Sequence, residues 1–143
     1  MDTQKQFQEY ILPMVNEIAQ PVVVDKAEGC TYTDIGGKEY LDCFAGIAVV
    51  NAGHSHPKIL EAAKAQMEKL VHCCSCVYMA PPVGALAEKL AEITPGSLKR
   101  SFLANSGAEA LEGAMRLAKQ YTGKRELVAL TMSFHGRSVG TLS

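Results

Sequence analysis

The stretch that decides the fold is residues 101–110, which read SFLANSGAEA. The pattern predicts a short strand over 101–104, a tight turn, and a helix over about 107–121. Ser106 and Glu109 have the S-x-x-E spacing of a capping box. The small Ser-Gly-Ala corner leaves backbone N–H groups open at a helix N-terminus, which is an anion-binding arrangement. Spacing alone favours an ordinary capped helix over a phosphate site, because the motif is short.

The residues of this turn suit a close approach of a ligand to the backbone. Gly107 has no side chain, Ala108 has a single methyl group, and Ser106 has a hydroxyl that can cap the helix or donate a hydrogen bond. Ligands of open α/β sheets bind at the carboxyl ends of strands, where this turn is expected. The chain contains neither G-x-G-x-x-G nor G-x-x-x-x-G-K-[ST], which argues against a dinucleotide site and a P-loop.

A second turn of interest follows the predicted strand 127–131. Phe134 can stack on a flat ring, Arg137 can hold a carboxylate through its planar fork, and His135 is a weaker candidate for a general base. The motif alone favours a packed Phe and a solvated Arg instead. Together with the strand 101–104 and the helix between them, the run 127–131 predicts a right-handed βαβ unit.

The rest of the chain predicts a hairpin and three more helices. Two β-rich runs, 30–35 and 38–42, flank the glycine pair Gly36-Gly37. Apolar residues at helical spacing and helix-terminal signals predict three helices, over 4–12, 57–70 and 83–93. The first would be capped by Thr3 and stopped by Pro13, and the second would have Pro57 at its first helical position.

Composition argues against several classes of partner. The 14 basic and 15 acidic residues are well mixed along 143 residues and give a net charge of -1, which argues against nucleic acid and anionic membranes. Apolar runs are too short to span a bilayer, and the first residues lack a signal-peptide core. The five cysteines are an odd number, typical of reduced thiols in a cytoplasmic protein.

Two histidine-containing clusters resemble metal sites only superficially. His54 and His56 lie two residues apart, and His72 precedes three cysteines within residues 73–76. Neither has the ligand spacing of a structural metal site, so no metal is expected. We expect His56 to cap the helix that begins at Pro57 and His54 to make hydrogen bonds within its loop.

In their order and spacing, the segments of this chain closely resemble the class III (ω-type) aminotransferases, which use pyridoxal 5'-phosphate. The resemblance runs from near Gly29 to Ser143 and includes the 4-aminobutyrate, acetylornithine and alanine–glyoxylate aminotransferases. The segments that carry it are 37–42 (GKEYLD), 45–49 (AGIAV), 53–57 (GHSHP), 105–110 (NSGAEA) and 134–137 (FHGR).

The resemblance implies an α/β chain of fold type I. It assigns residues 1–50 to the N-terminal segment of the small domain. Residues 51–143 would begin the large cofactor-binding domain, with the first part of its mixed, mostly parallel sheet. We expect a chain that is cut off inside this fold, because a parallel sheet needs more strands and covering helices than these residues contain. We expect such a chain to aggregate or to stay partly unfolded when it is isolated, because it would expose an unpaired strand edge and apolar surface.

The resemblance also implies roles for individual residues. The implied cofactor-binding residues are Ser106, Gly107 and Ala108 at the phosphate, Phe134 against the pyridine ring, and His135. The implied substrate-binding residues are Ile47 and Tyr78, which would line the pocket, and Arg137, which would contact a carboxylate. The Schiff-base lysine would lie downstream of Ser143, so no residue of this chain is assigned a catalytic role.

The implied reaction moves an amino group from an amine or ω-amino acid donor to a 2-oxo acid such as 2-oxoglutarate or pyruvate. The enzyme would be a homodimer or a higher homo-oligomer, and this chain alone would be inactive. One alternative is an aminomutase or decarboxylase of the same family. Another is a non-catalytic truncated protein that serves in binding or assembly.

Overall fold

The computed structural model describes residues 2–12 and 21–142. The chain divides into two compact units, Met1–His72 and Cys73–Ser143. The first contains α1 (Thr3–Tyr10), β1 (Val24–Glu28), β2 (Thr31–Asp34), β3 (Glu39–Leu41), the single turn α2 (Ala45–Ala48) and α3 (Pro57–Lys69). The second contains α4 (Pro81–Ile93) and α5 (Gly107–Thr122).

The first unit contains a three-stranded antiparallel sheet in the order β1-β2-β3. The predicted hairpin is confirmed as the pair β2–β3. Its turn is shaped by Asp34, whose Oδ1 accepts hydrogen bonds from the amides of Gly36 and Lys38, each at 2.9 Å. These hydrogen bonds lower the pKa of Asp34, and the bond from the Lys38 amide has the largest effect. Gly37 has φ +83°, a conformation that glycine adopts readily.

The ends of α5 match the sequence prediction. Ser106 is the N-cap, and its hydroxyl accepts a hydrogen bond from the amide of Glu109 at 3.2 Å. The Glu109 carboxylate reaches back to the amide of Asn105 at 2.7 Å, one residue before the usual capping-box partner. Gly123 ends the helix in the left-handed conformation, with φ 70°.

The helices α3 and α4 confirm the predictions over 57–70 and 83–93, with α4 beginning two residues early at Pro81. The predicted cap of the first helix is wrong. Asp2, not Thr3, is the N-cap of α1, and its carboxylate accepts from the amide of Gln4 at 2.8 Å. Asp2 and Thr3 are both good capping residues, so the sequence alone does not distinguish them. The predicted stop at Pro13 lies outside the described residues.

The two strands predicted on either side of α5 do not form. Neither 101–104 nor 127–131 is a strand in the described part of the chain, so the predicted βαβ unit is reduced to its helix. A strand exists only with a hydrogen-bonding neighbour, and the described residues provide none for either run. Phe102 instead packs against Gly113 of α5, where an added Cβ would lie 2.8 Å from its ring.

The described residues bury no apolar side chain, and Thr141, 3% exposed, is the one residue that they bury. The apolar side of α3 has the predicted spacing but is uncovered, with Ile59 56% and Met67 65% exposed. Full burial of such a side chain stabilises a fold by about 1.5–3 kcal/mol, so packing additional protein against these apolar helix faces would be favourable. No helix among the described residues is both long and apolar enough to cross a bilayer.

Candidate functional site

The first turn of α5 presents two unused backbone donors. With Ser106 as N-cap, hydrogen bonding begins at the amides of Glu109 and Ala110, which donate to the Ser106 hydroxyl and carbonyl. The amides of Gly107 and Ala108 therefore lack an acceptor within the described residues. An anion placed there would also be favoured by the helix dipole.

Neither the local backbone geometry nor the packing requires a glycine at position 107. Its φ lies outside the positive range that favours glycine, and a Cβ added to it would meet nothing within 4 Å. The space in front of the turn is therefore open. A residue without a side chain at this position leaves that space clear for a ligand that approaches the backbone.

The second predicted turn lies directly against the first. A Cβ added to Gly136 would lie 2.7 Å from the Cβ of Ala108 and 2.5 Å from the hydroxyl of Thr141. Gly136 also has φ +138°, so both its backbone conformation and its surroundings require glycine. The structure thus brings the residues around Gly136 to the N-terminal turn of α5, as two motifs of one site require.

The side chains of the second turn differ in their exposure to solvent. Phe134 is 78% exposed, Arg137 is exposed, and His135 is half-buried. Tyr78, also in this unit, is 65% exposed and follows a turn in which its amide donates to the Cys74 carbonyl at 3.1 Å. The binding roles of these four residues remain predictions.

Ile47 lies in the first unit, on a strained left-handed turn. Ala45, Gly46, Ile47 and Ala48 have φ of 50°, 62°, 62° and 59°. Only Gly46 adopts this conformation without penalty, and for a β-branched residue such as Ile47 it is an outlier. Each strained residue costs on the order of 1–3 kcal/mol, and such strain clusters at binding and active sites. The sequence offered one signal for this turn, Gly46.

Asp42 holds this turn in place. Its Oδ1 accepts hydrogen bonds from the amides of Phe44 at 2.7 Å and Ala45 at 3.0 Å. Its Oδ2 lies 2.6 Å from Nε2 of His54, which must donate because an ionised carboxylate only accepts. The two side chains are 3% and 13% exposed for Asp42 and His54 respectively. The hydrogen bond from His54 is the main cause that lowers the pKa of Asp42 to about 2.

We expect Asp42→Asn to destabilise the protein in a pH-dependent way. A carboxyl whose pKa in the folded protein is about 2, below the ordinary aspartate pKa of 3.8, stabilises the fold above pH 3.8. That contribution is lost as the pH falls toward 2. The thermal midpoint of Asp42→Asn should therefore lie below that of wild type at pH 7, and the gap should narrow toward pH 2.

The control is Asp25→Asn, which changes an exposed carboxylate on β1. Its thermal midpoint should follow wild type across the same pH range. A gap between wild type and Asp42→Asn that stayed constant from neutral to low pH would contradict the assigned role of the Asp42 carboxylate.

The histidine predictions are confirmed in part. His54 does make loop hydrogen bonds, through Asp42 and through a backbone bridge with Gly29. His56 occupies the N-cap position of α3, but its side chain makes no capping bond, and its buried Nδ1 has no partner among the described residues. The expected imidazole cap is therefore wrong. The amide of Ile59, one of the donors that such a cap would serve, instead donates to the His56 carbonyl at 3.0 Å. No described group of three His, Cys, Asp or Glu side chains is arranged to hold a metal ion.

A groove of about 920 Å³ extends along α5 from Glu112 to Gly123 and is also lined by Gly140. Its lining includes the basic side chains Arg116, Lys119, Lys124 and Arg125. The groove does not include residues 106–108 or 134–137, so its size does not make it the site that the motifs predict.

Comparison with known proteins decides the family. The family model for Aminotransferase class-III matches residues 14–143. The chain belongs to the class III aminotransferases. The family depends on pyridoxal 5'-phosphate, which is the cofactor that the two adjoining turns were predicted to bind.

Relatives from several organisms support this assignment. The chain is 51% identical over 124 residues to the acetylornithine aminotransferase of Methanosarcina mazei, covering 87% of this chain and 31% of that protein. It is 43% identical over 123 residues to the 5-aminovalerate aminotransferase of Pseudomonas aeruginosa, covering 85% and 29%. This class III chain thus spans about a third of the length of the curated relatives that it matches.

A solved structure supports the fold. The adenosylmethionine-8-amino-7-oxononanoate aminotransferase of Methanocaldococcus jannaschii superimposes with a TM-score of 0.85 at 30% identity, over 99% of this chain and 35% of that one. The predicted α/β fold of type I is therefore confirmed for this class III chain, although its own described sheet is the small antiparallel one.

Two side-chain pairings, one in each unit, were not visible in the sequence. Glu112 of α5 contacts residues 138–140, and Asp42 pairs with His54. A glutamate within an amphipathic helix ordinarily faces solvent, and nothing in the local pattern distinguishes Glu112 from a solvent-facing helix glutamate such as Glu92. The repeated occurrence of small hydroxyl residues after Arg137 was the only available hint.

Proposed function

We propose that this chain is part of a protein of its relatives' length that acts as a pyridoxal-phosphate-dependent aminotransferase. The reaction would move an amino group from an amine or ω-amino acid donor to a 2-oxo acid such as 2-oxoglutarate or pyruvate. The observation that carries the proposal is the close approach of Gly136 to Ala108, which unites the phosphate-binding turn and the ring-binding turn.

The residues present fit the cofactor's phosphate. Gly107 and Ala108 offer two backbone N–H groups without acceptors, and the hydroxyl of Ser106 can donate its proton while its oxygen caps the helix. The open space at Gly107 admits a phosphate group next to the backbone. Each of these features is also compatible with an ordinary helix start, and membership of the class III family supports the proposal that they bind phosphate.

The remaining residues have proposed roles around the cofactor ring and the substrate. The exposed ring of Phe134 would stack on the pyridine ring, with His135 beside it. Arg137 would hold the substrate carboxylate through its bidentate fork. Tyr78 would bind the substrate, and Ile47 has the same proposed role. For Ile47, a role in binding gives the cost of its strained backbone conformation a functional explanation.

When bound, the cofactor acts as the electron sink for the amino-group transfer, while the protein supplies binding, orientation and electrostatics. The lysine that would hold the cofactor covalently is not assigned to any residue of this chain. We further propose a cytoplasmic homodimer or higher homo-oligomer. The odd number of cysteines, typical of reduced thiols, supports the compartment, and the uncovered apolar helix faces support the assembly. The boundary near residue 50 between the small and large domains remains part of this proposal.

The proposal is tested by titrating the full-length protein with pyridoxal 5'-phosphate and following its visible absorbance. We expect a saturable band that shifts when an amine donor is added, together with transfer of the amino group to a 2-oxo acid. Pyridoxal, which lacks the phosphate, is the matched control and should bind far more weakly. Absence of a band at any cofactor concentration would refute the proposal, and release of carbon dioxide without amino transfer would favour a decarboxylase.

A further inference from the structure

Glu112 links α5 to the segment that follows Arg137. Its Oε1 accepts a hydrogen bond from the Ser138 hydroxyl at 2.5 Å and another from the Gly140 amide at 3.0 Å. Glu112 is half-buried, as is Ser138. Hydrogen bonds to an ionised carboxylate are stronger than neutral ones, so these two contacts form a firm attachment point.

The segment attached by Glu112 is itself a closed turn. The Ser138 amide donates to the Thr141 hydroxyl at 3.0 Å, and the Thr141 amide donates to the Ser138 carbonyl at 3.2 Å. The two hydroxyls are 2.7 Å apart, and Thr141 is 3% exposed. Because these bonds lie within the segment, residues 138–141 form one unit, and the contacts with Glu112 can set the position of that unit.

This unit reaches the predicted cofactor site through Gly136. Gly136 lies close to both Thr141 and Ala108, since a Cβ added to it would lie 2.5 Å from the Thr141 hydroxyl and 2.7 Å from the Ala108 Cβ. Ala108 and Glu112 are four residues apart and therefore lie on the same side of α5. One side of the helix thus holds both ends of the segment, next to the amides of the first turn.

Resting on the proposed function, we propose that Glu112 is a positioning residue that sets the Phe134–Arg137 turn relative to the phosphate-binding amides. It touches neither the ring nor the phosphate in this role. Through Ser138, Thr141 and Gly136, it fixes the separation between the surface that stacks on the ring and the donors that hold the phosphate. A cofactor of fixed length needs that separation to be held constant.

The test uses the full-length protein, four single-substitution variants and the double variant Glu112→Ala/Ser138→Ala. Glu112→Ala removes the carboxylate that accepts both hydrogen bonds, and Ser138→Ala removes the hydroxyl that donates one of them. Ser138→Thr changes the side chain but keeps a hydroxyl. The control is Glu92→Ala on α4, which removes an exposed helix carboxylate paired with Lys89. The readouts are the dissociation constant of pyridoxal 5'-phosphate and the visible circular dichroism of the bound cofactor at saturation.

We expect Glu112→Ala to weaken cofactor binding by about tenfold to a hundredfold, and Ser138→Ala by about tenfold or less. Both alanine variants should alter the dichroism of the bound cofactor, because the Phe134–Arg137 turn that contacts the ring would change its position. Ser138→Thr should recover binding, Glu92→Ala should match wild type, and Glu112→Ala/Ser138→Ala should be no weaker than Glu112→Ala alone. Wild-type binding and dichroism in both alanine variants would overturn the proposal.

Two further outcomes are covered by the same design. If Glu112→Ala does not fold, the comparison of Ser138→Ala with Ser138→Thr decides, and equal binding by the two would overturn the proposal. If wild type binds no cofactor, the proposed function fails, yet amide hydrogen exchange over residues 134–142 still tests the attachment. Faster exchange in the cofactor-free Ser138→Ala variant than in wild type would support it, and equal exchange would overturn it.

Discussion

Gly136→Ala is expected to reduce the affinity for pyridoxal 5'-phosphate on the order of a hundredfold. The added Cβ would lie 2.5 Å from the Thr141 hydroxyl and 2.7 Å from the Ala108 Cβ, closer than atoms can approach. The methyl group of Ala108 cannot rotate away, because it is fixed to the helix backbone. The turn must therefore leave α5 or be held there under strain.

Two costs combine at Gly136. A non-glycine residue with φ +138° is strained by about 1–3 kcal/mol, and overpacking adds about 1–3 kcal/mol. If the turn must occupy its present position to bind the cofactor, a combined cost of about 3 kcal/mol appears as lost affinity, at about 1.4 kcal/mol for each factor of ten. Absorbance titration of the full-length variant measures this loss.

The control for this substitution is Gly84→Ala in α4. A Cβ at Gly84 would meet nothing within 4 Å, and its φ is not in the positive range. Alanine in a helix interior is more favourable than glycine by about 0.5–1 kcal/mol, so Gly84→Ala should retain wild-type affinity. Wild-type affinity in Gly136→Ala as well would show that the contact between the two turns is not needed for binding.

Gly107→Asp is expected to cause the second large loss of cofactor affinity, again on the order of a hundredfold. The substitution puts a carboxylate into the open space that we assign to the phosphate. Repulsion between charges about 4 Å apart amounts to about 4 kcal/mol near a protein surface. Partial screening by salt reduces this, which leads to the expected factor.

This variant separates binding from folding, because the two effects have opposite signs. An aspartate in the first turn of a helix interacts favourably with the helix dipole, by about 0.3–1 kcal/mol. The cofactor-free Gly107→Asp protein should therefore be at least as stable as wild type while it binds cofactor poorly. Gly107→Ala, which adds bulk without charge, is the matched control and should bind with an intermediate affinity. Unchanged affinity in Gly107→Asp would remove Gly107 from the site.

Local interactions were predictable from the sequence. The N-cap at Ser106, its partner Glu109 and the C-cap at Gly123 depend on residues only a few positions apart, so their spacing specifies their geometry. The same is true of the hairpin between β2 and β3. The individual motifs at the site were visible too, and their order along the chain identified the family.

Interactions between distant residues were not predictable in this way. Ser138 lies 26 residues from Glu112, and His54 lies 12 from Asp42, so no local pattern connects the partners. The runs 101–104 and 127–131 have strand-like sequences, but a strand requires a neighbour to pair with. The left-handed turn at Ile47 depends on the carboxylate of Asp42, which overrides the local preference of the residues that it holds.

The central claim is that the first turn of α5 binds the cofactor phosphate beside the turn of Phe134 and Arg137. A crystal structure of the full-length protein with pyridoxal 5'-phosphate tests it most directly. We expect phosphate oxygens at hydrogen-bonding distance, about 2.7–3.2 Å, from the amide nitrogens of Gly107 and Ala108, with Phe134 against the ring. A phosphate held away from both amides would contradict the claim.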